Sequence, residues 1–428
     1  MRPNRLRQRI LLGLIALIIL LAAVVESWAG SPRKADLSRL VVLGDSLSAG
    51  FQNGSLLATQ QVHGYAAVLA AQAGVELSLP LIAFPGIPNV LTLVDPGPPP
   101  VIEPLLGLSP GRLNPGVQPT DLAVPAATVQ DALTTRPDCL FDDLTDVILG
   151  LPGCFVPILK SQVEWAEALA PIALVIWLGN NDVLLSALFE GTDAFITPVA
   201  AFETAYTEVM DRLARPGFTV VVANVPDVTV VPFLTTAEEV LAQVSAATGL
   251  PPSLLEFVLG IGPGDFVLPD AFPLITAILT GSIPGPLPAK LVLDAAEIAS
   301  IRETTAGYNA IIATKAAEKG AALVDIHGFL ESARARGIVV GGQRLTTAFL
   351  GGLFSLDGVH PTNTGYAVIA NEFIKALNTH FAAGIPPVSI RQVQKSDPLV
   401  LPGVGHPASA LGHISPETAA ALRAVMGR

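Results

Sequence analysis

A serine hydroxyl, an imidazole and a carboxylate can together cleave an ester if the chain brings them to one point, and a nearby amide can hold the oxyanion that forms. The sequence carries such groups in three short stretches. Ser46 follows the apolar run Leu40–Leu43 and Gly44 in RLVVLGDSLSAGF (39–51). Asn181 follows a second apolar run, ALVIWL (173–178), in GNND (179–182). Asp357 and His360 stand three apart in SLDGVHPTNTGY (355–366), with Pro361 fixing the chain just beyond. The other five histidines, His63, His327, His380, His406 and His413, lack such a carboxylate neighbour. Taken singly, each stretch has a plainer reading: Asp45 or Ser46 can cap a helix, and an Asp-x-x-His is commonly a surface pair. Their worth depends on whether the fold gathers them.

The elements that must do the gathering alternate between strand and helix. Leu40–Leu43 reads as a buried parallel strand, with Gly44 giving a sharp exit and Ser46 at the hand-over to a helix, where the helix dipole favours developing negative charge. GYAAVLAAQAG (64–74) is a helix pattern stopped by Gly74. The run from Asp121 reads as a strand end, a turn and a helix. Ser161-x-x-Glu164 is a capping box, Pro171 ends its helix, and 173–178 follows as a buried strand. Val199, Phe202, Tyr206, Val209, Met210 and Leu213 form a helical stripe before the strand Thr219–Ala223. Asp294-x-x-Glu297 opens a long helix that stops at Gly320, ahead of the strand Ala321–Ile326, and an amphipathic helix follows His360. This rhythm predicts a parallel sheet covered on both faces, in which the polar residues at the carboxyl ends of the strands share one edge.

Two stretches break the rhythm. Residues 80–119 are rich in proline and glycine and almost uncharged, and 228–293 reads as an inserted cap of short apolar helices with caps at Thr235-x-x-Glu238 and Ser253-x-x-Glu256. Both can line an apolar cleft, or simply pack on the core. From Gly384 the remainder, 385–428, is expected to be a mobile tail.

The N-terminus has its own message. Arg2, Arg5, Arg7 and Arg9 precede an apolar run from Ile10 to Val25 and then Ser27-Trp28-Ala29, the pattern of an export signal cleaved after Ala29, with an uncleaved membrane anchor as the alternative. Export places the protein outside the cytoplasm: periplasmic, secreted or anchored there. Without residues 1–29 the chain of 428 residues keeps 20 basic against 35 acidic residues, which disfavours nucleic acid as a partner. Charged residues make up 14% of the chain, and the mean hydropathy of +0.57 requires apolar surface to be buried or used for binding. Cys139 and Cys154, in an exported chain, read as a local disulfide worth about 3 kcal/mol; two buried thiols are the alternative.

GDSLSAG (44–50), GNND (179–182) and DGVHPTNTGY (357–366) resemble three blocks of the GDSL, or SGNH, hydrolase family, in the family's order, and ANVPDV (223–228) is similar to the stretch after its fourth strand. The resemblance spans roughly Leu40 to Leu377. It implies a flavodoxin-like three-layer α/β/α sandwich with a parallel sheet in the order 2-1-3-4-5 and long insertions, the hydrolase domain occupying 30–384. It assigns Ser46 as nucleophile, His360 as base and Asp357 as its partner, with the Ser46 N–H and the Asn181 side chain as oxyanion donors, and it implies no metal or cofactor. One position departs: where the family has a glycine whose N–H is the third donor, this chain has Ala126, in DLAVPAAT (121–128), with Gly86 of FPGIP as the competing candidate. Ala126 keeps the N–H, so it serves if its φ is negative. The resemblance implies a serine esterase or lipase; the N-terminal signal adds export, and the apolar stretches 80–119 and 228–293 add a small-molecule or lipid-like ester with an apolar acyl or alcohol part. A carbohydrate O-deacetylase is the rival within the class, disfavoured by only three Trp and four Tyr, and an inactive binding module is the rival outside it.

Overall fold

The computed structural model describes residues 35–95, 97, 100–155, 158–189, 195–400 and 415–426. The N-terminal export pattern lies outside them. Four parallel strands form the central sheet: β1 (Leu40–Gly44), β2 (Ala173–Trp177), β3 (Thr219–Ala223) and β4 (Ala322–Val324), hydrogen-bonded in that order. Leu40 pairs with Ala173, Ala173 with Thr219 and Val221 with Ala322. Next to β1 the stretch 120–124 completes the edge: Val42 N–H donates to Thr120 O, Leu122 N–H to Val42 O and Val124 N–H to Gly44 O. Counted in chain order with this edge stretch as the second strand, between β1 and β2, the sheet order is 2-1-3-4-5, the second strand being reduced to a single bridge.

Successive side chains of these strands feed opposite faces. Val41, Leu43, Leu174, Ile176, Val220 and Val222 enter one core; Leu40, Val42, Val175, Trp177, Val221 and Ala223 enter the other. Burial on both sides is why the strands read as unbroken apolar runs. The first core is covered by α2 (Val129–Thr134), α3 (Gln162–Leu169), α4 (Asn181–Leu188), α5 (Val199–Leu213) and α9 (Ala295–Lys319); the second by α1 (Tyr65–Ala73) and α11 (Asn363–Phe381). The boxes at Ser161/Glu164 and Asp294/Glu297 form as expected.

The insertion folds around a small core of its own, in which Val240, Leu255, Val267, Ile275 and Leu291 pack together. It holds α6 (Ala237–Thr248), α7 (Pro252–Leu259) and α8 (Ala271–Leu279), with a ribbon of two-residue strands. Its caps differ from expectation. Thr235 pairs with Val267 in that ribbon, so Thr236 and Glu239 make the box, and α7 starts on Pro252 with no side-chain cap. α10 (Ile326–Arg336) follows β4. Within 80–119 an antiparallel hairpin, Leu91–Asp95 with Val101–Pro104, interrupts the irregular chain. Cys139 and Cys154 are joined by a disulfide.

The C-terminal segment corrects the expectation of a mobile tail. It contains α12 (Ile390–Ser396) and α13 (Pro416–Met426); Ile385 and Val388 enter the second core, and Ala419 and Leu422 enter the first. Buried Asp397 accepts the Thr364 N–H at the start of α11. Apolar residues spaced through this stretch make the contacts; their low density is what made it read as a tail. Among the described residues no helix is long and apolar enough to cross a membrane.

Candidate active site

Ser46 leaves β1 through a tight turn. Gly44 is required there by space: a Cβ would lie 2.2 Å from Ser48 Oγ and 2.9 Å from Trp177 O. The expected helix does not follow. Residues 46–50 form turns closed by Ala49 N–H to Asp45 O and Phe51 N–H to Ser46 O, and only a single helical turn, Ala58–Gln61, precedes α1 at Tyr65. Asp45 is fully buried beneath the serine, its carboxylate accepting the Leu47 N–H at 3.0 Å and Asn180 Nδ2 at 2.8 Å. Burial pushes this carboxyl up to about 6 against those bonds and the nearby His360.

His360 and Asp357 lie on the loop before α11, both with no exposed side-chain surface. Asp357 Oδ1 accepts the N–H groups of Val359 and His360, at 2.9 and 2.8 Å, which bends the loop into a turn carried by Gly358 at φ +71°. Its Oδ2 accepts Gly54 N–H at 2.7 Å and faces His360 Nδ1 at 3.0 Å. Burial alone would raise Asp357; the His360 ring and the N–H groups outweigh it and hold the carboxyl below its usual range. The ring packs on Phe51, centroids 4.6 Å apart. His360 Nε2 is buried with no partner among the described residues.

Asn181 is the first residue of α4, after a turn in which Gly179 takes φ +112°. Its Nδ2 donates to Ala127 O at 3.0 Å, leaving the second N–H of the amide available. Ala126 occupies the third position of a turn closed by Ala127 N–H to Val124 O at 3.1 Å, and its φ is +67°. The condition of a negative φ is thus not met: with Pro125 at its second position and positive φ at its third, the turn is of type II, whose third position favours glycine. The Ala126 N–H has no acceptor among the described residues. Gly86, the competitor, donates its N–H to Ala83 O and is wedged against Ser55 and Leu56.

Ser46, Asn180, Asn181 and His360 line one cleft; Ala126 is not among its lining residues and directly precedes Ala127, whose carbonyl Asn181 holds. The cleft has about 740 Å³ of free space, its open mouth included. Its wall was not legible in the sequence. Phe329 and Leu330 from α10, Ile338, Leu353, Phe354, and Val368 and Ile369 from α11 supply it, with Val228 and Val231 from the start of the insertion. Among the described residues, neither the excursion 80–119 nor the three cap helices line it. The Asp45–Asn180 pair was also missed, although a second Asn in GNND was a visible signal.

A parallel three-layer α/β fold with a serine, an amide and an imidazole–carboxylate pair at its carboxyl edge defines the class of α/β hydrolytic proteins. Within that class the chain belongs to the GDSL-like lipase/acylhydrolase family, whose model matches residues 40–373. No curated protein matches the chain. Among solved structures, it is similar to an α/β hydrolase from the metagenome of Lake Arreo, Spain, at 15% identity, with 82% of this chain and 99% of that one covered and a TM-score of 0.38. It is similar also to an acetyl xylan esterase from Geobacillus stearothermophilus, at 13% identity, with 81% and 97% covered and a TM-score of 0.36.

Proposed function

We propose that the protein is an exported serine esterase or lipase that hydrolyses carboxylic esters with an apolar acyl or alcohol group. Ser46 Oγ attacks the ester carbonyl while His360 Nε2 takes its proton, and Asp357 holds Nδ1–H so that Nε2 stays the acceptor. The oxyanion is met by the N–H groups of Ser46 and Ala126 and by Asn181 Nδ2. His360 returns the proton to the leaving alcohol, and water then attacks the acyl-Ser46 ester by the same route. The observation that carries this reading is His360: its Nδ1 is fixed by a buried carboxylate while its Nε2, buried and without a partner among the described residues, belongs to a residue lining the cleft that Ser46 also lines. The apolar wall supports an apolar substrate. The N-terminal signal pattern and the disulfide support export. No cofactor enters these steps.

The test is hydrolysis of p-nitrophenyl esters from acetyl upward by wild type and Ser46→Ala. Activity rising through medium acyl chains and lost in Ser46→Ala is expected. A steep fall beyond acetyl would point to an O-deacetylase, and equal residual activity in both proteins to a binding module.

A further inference from the structure

We propose that Asp182 is a positioning residue for the oxyanion site: its carboxylate fixes the turn that carries Ala126. The proposal rests on the reading of Asn181 and Ala126 as oxyanion donors. Asp182 has no exposed surface, and its Oδ2 accepts the N–H of Val129, the first residue of α2, at 3.0 Å across 53 positions of sequence. A first-turn N–H has no acceptor within its own helix, so the carboxylate supplies the one it needs. Asn181, one residue earlier, holds Ala127 O at 3.0 Å. The start of α4 therefore grips the turn on both sides of Thr128, by a donor on one side and an acceptor on the other. Ala126 stands one residue before that grip in an unfavourable backbone conformation, φ +67°, which persists only where its surroundings impose it.

The grip itself is anchored. Asp182 O accepts Thr197 N–H at 2.9 Å and the Tyr308 hydroxyl at 3.2 Å, tying the start of α4 to α9. No cation pairs with Asp182 among the described residues, and burial pushes its carboxyl up to about 6, with Asp131 and Asp45 adding to the rise. A carboxylate held there at neutral pH costs stability that a neutral residue would not, which is the expected pattern for a group retained to place another.

Three variants test this, with kcat and KM measured separately on one p-nitrophenyl ester and folding followed by circular dichroism. Asp182→Ala removes the acceptor. Asp182→Asn keeps an oxygen in reach of the Val129 N–H. Val129→Pro removes the N–H itself at a helix position that tolerates proline, and Thr128 before it, at φ −82° and ψ 173°, already has the conformation that proline requires. Asp182→Ala and Val129→Pro are each expected to lower kcat about thirtyfold or more with KM within about threefold, because a displaced donor is felt only when the oxyanion forms. Asp182→Asn is expected to recover most of that loss, and Asp182→Ala is expected to cost little further in an Asn181→Ala background, since both act on one unit. A folded Asp182→Ala or Val129→Pro with kcat within threefold of wild type overturns the proposal, as does Asp182→Asn falling as far as Asp182→Ala. Failure of the underlying reading is separately visible, as Asn181→Ala keeping kcat within about tenfold of wild type.

Discussion

Replacing Asp357 by Asn exposes what the carboxylate does, because all four of its contacts are N–H groups. Oδ1 takes the main-chain N–H of Val359 and His360, and Oδ2 takes Gly54 N–H and His360 Nδ1. An amide must turn its NH2 toward one side or the other. Turned to the Oδ1 side, it orphans two buried donors, at about 1–3 kcal/mol each, but keeps the Nδ1–H bond. Turned to the Oδ2 side, it orphans only Gly54 N–H and donates to Nδ1. The second orientation is cheaper by about 1–3 kcal/mol, and it moves the ring proton to Nε2, where the base must accept. Asp357→Asn should therefore fold, lose about 1–3 kcal/mol in denaturant unfolding, and lose kcat on the order of a thousandfold or more with little change in KM. The assay is p-nitrophenyl ester hydrolysis beside ¹⁵N NMR of the His360 ring, which reads the tautomer directly. A kcat within tenfold of wild type refutes the reasoning, and so does lost activity with the Nδ1–H tautomer intact.

Ala126→Gly keeps the N–H and relieves the positive φ, at the cost of one buried methyl worth about 0.8 kcal/mol, so kcat should stay within about tenfold, whereas Asn181→Ala should lower it a hundredfold or more in the same ester assay. Leu330→Trp narrows the cleft wall; since each buried methylene contributes about 0.8 kcal/mol, roughly fourfold, octanoyl ester activity should fall at least tenfold relative to acetyl. Asp45 titrates near 6 in the folded chain against 3.8 when free, so the folded state binds the proton more tightly and stability from this group falls as pH rises between those values, by about 3 kcal/mol. Asp45→Asn should consequently gain in melting temperature relative to wild type between pH 4 and pH 7, and a constant difference would contradict the shift.

The parallel sheet was legible because β1, β2 and β3 are short buried apolar runs closed by glycine or asparagine at the strand end or within two residues beyond it. β4 and the edge stretch 120–124 were legible only as weaker patterns, since the edge makes a single bridge. Ser46, Asn181, Asp357 and His360 stood out because strand ends and the loop before the last helix converge in such a sheet. What sequence could not reveal depends on three-dimensional packing. The cleft wall comes from α10, α11 and the chain between them, whose apolar residues look no different from core. The positive φ of Ala126 is imposed by the turn after Pro125, and the residue itself gives no sign of it. The docking of α13 rests on the apolar Ala419 and Leu422 and on Arg423, which donates to Leu188 O and pairs with Asp270, long-range contacts that a short helix pattern does not announce.

The central claim, that Ser46 is the nucleophile of this cleft, is tested most directly by labelling with a p-nitrophenyl alkylphosphonate and mapping the adduct by peptide mass spectrometry. One stoichiometric adduct on Ser46 is predicted, formed in step with loss of esterase activity and absent from Ser46→Ala. Full inhibition with the label on another residue, or an active enzyme that leaves Ser46 unlabelled, would contradict it.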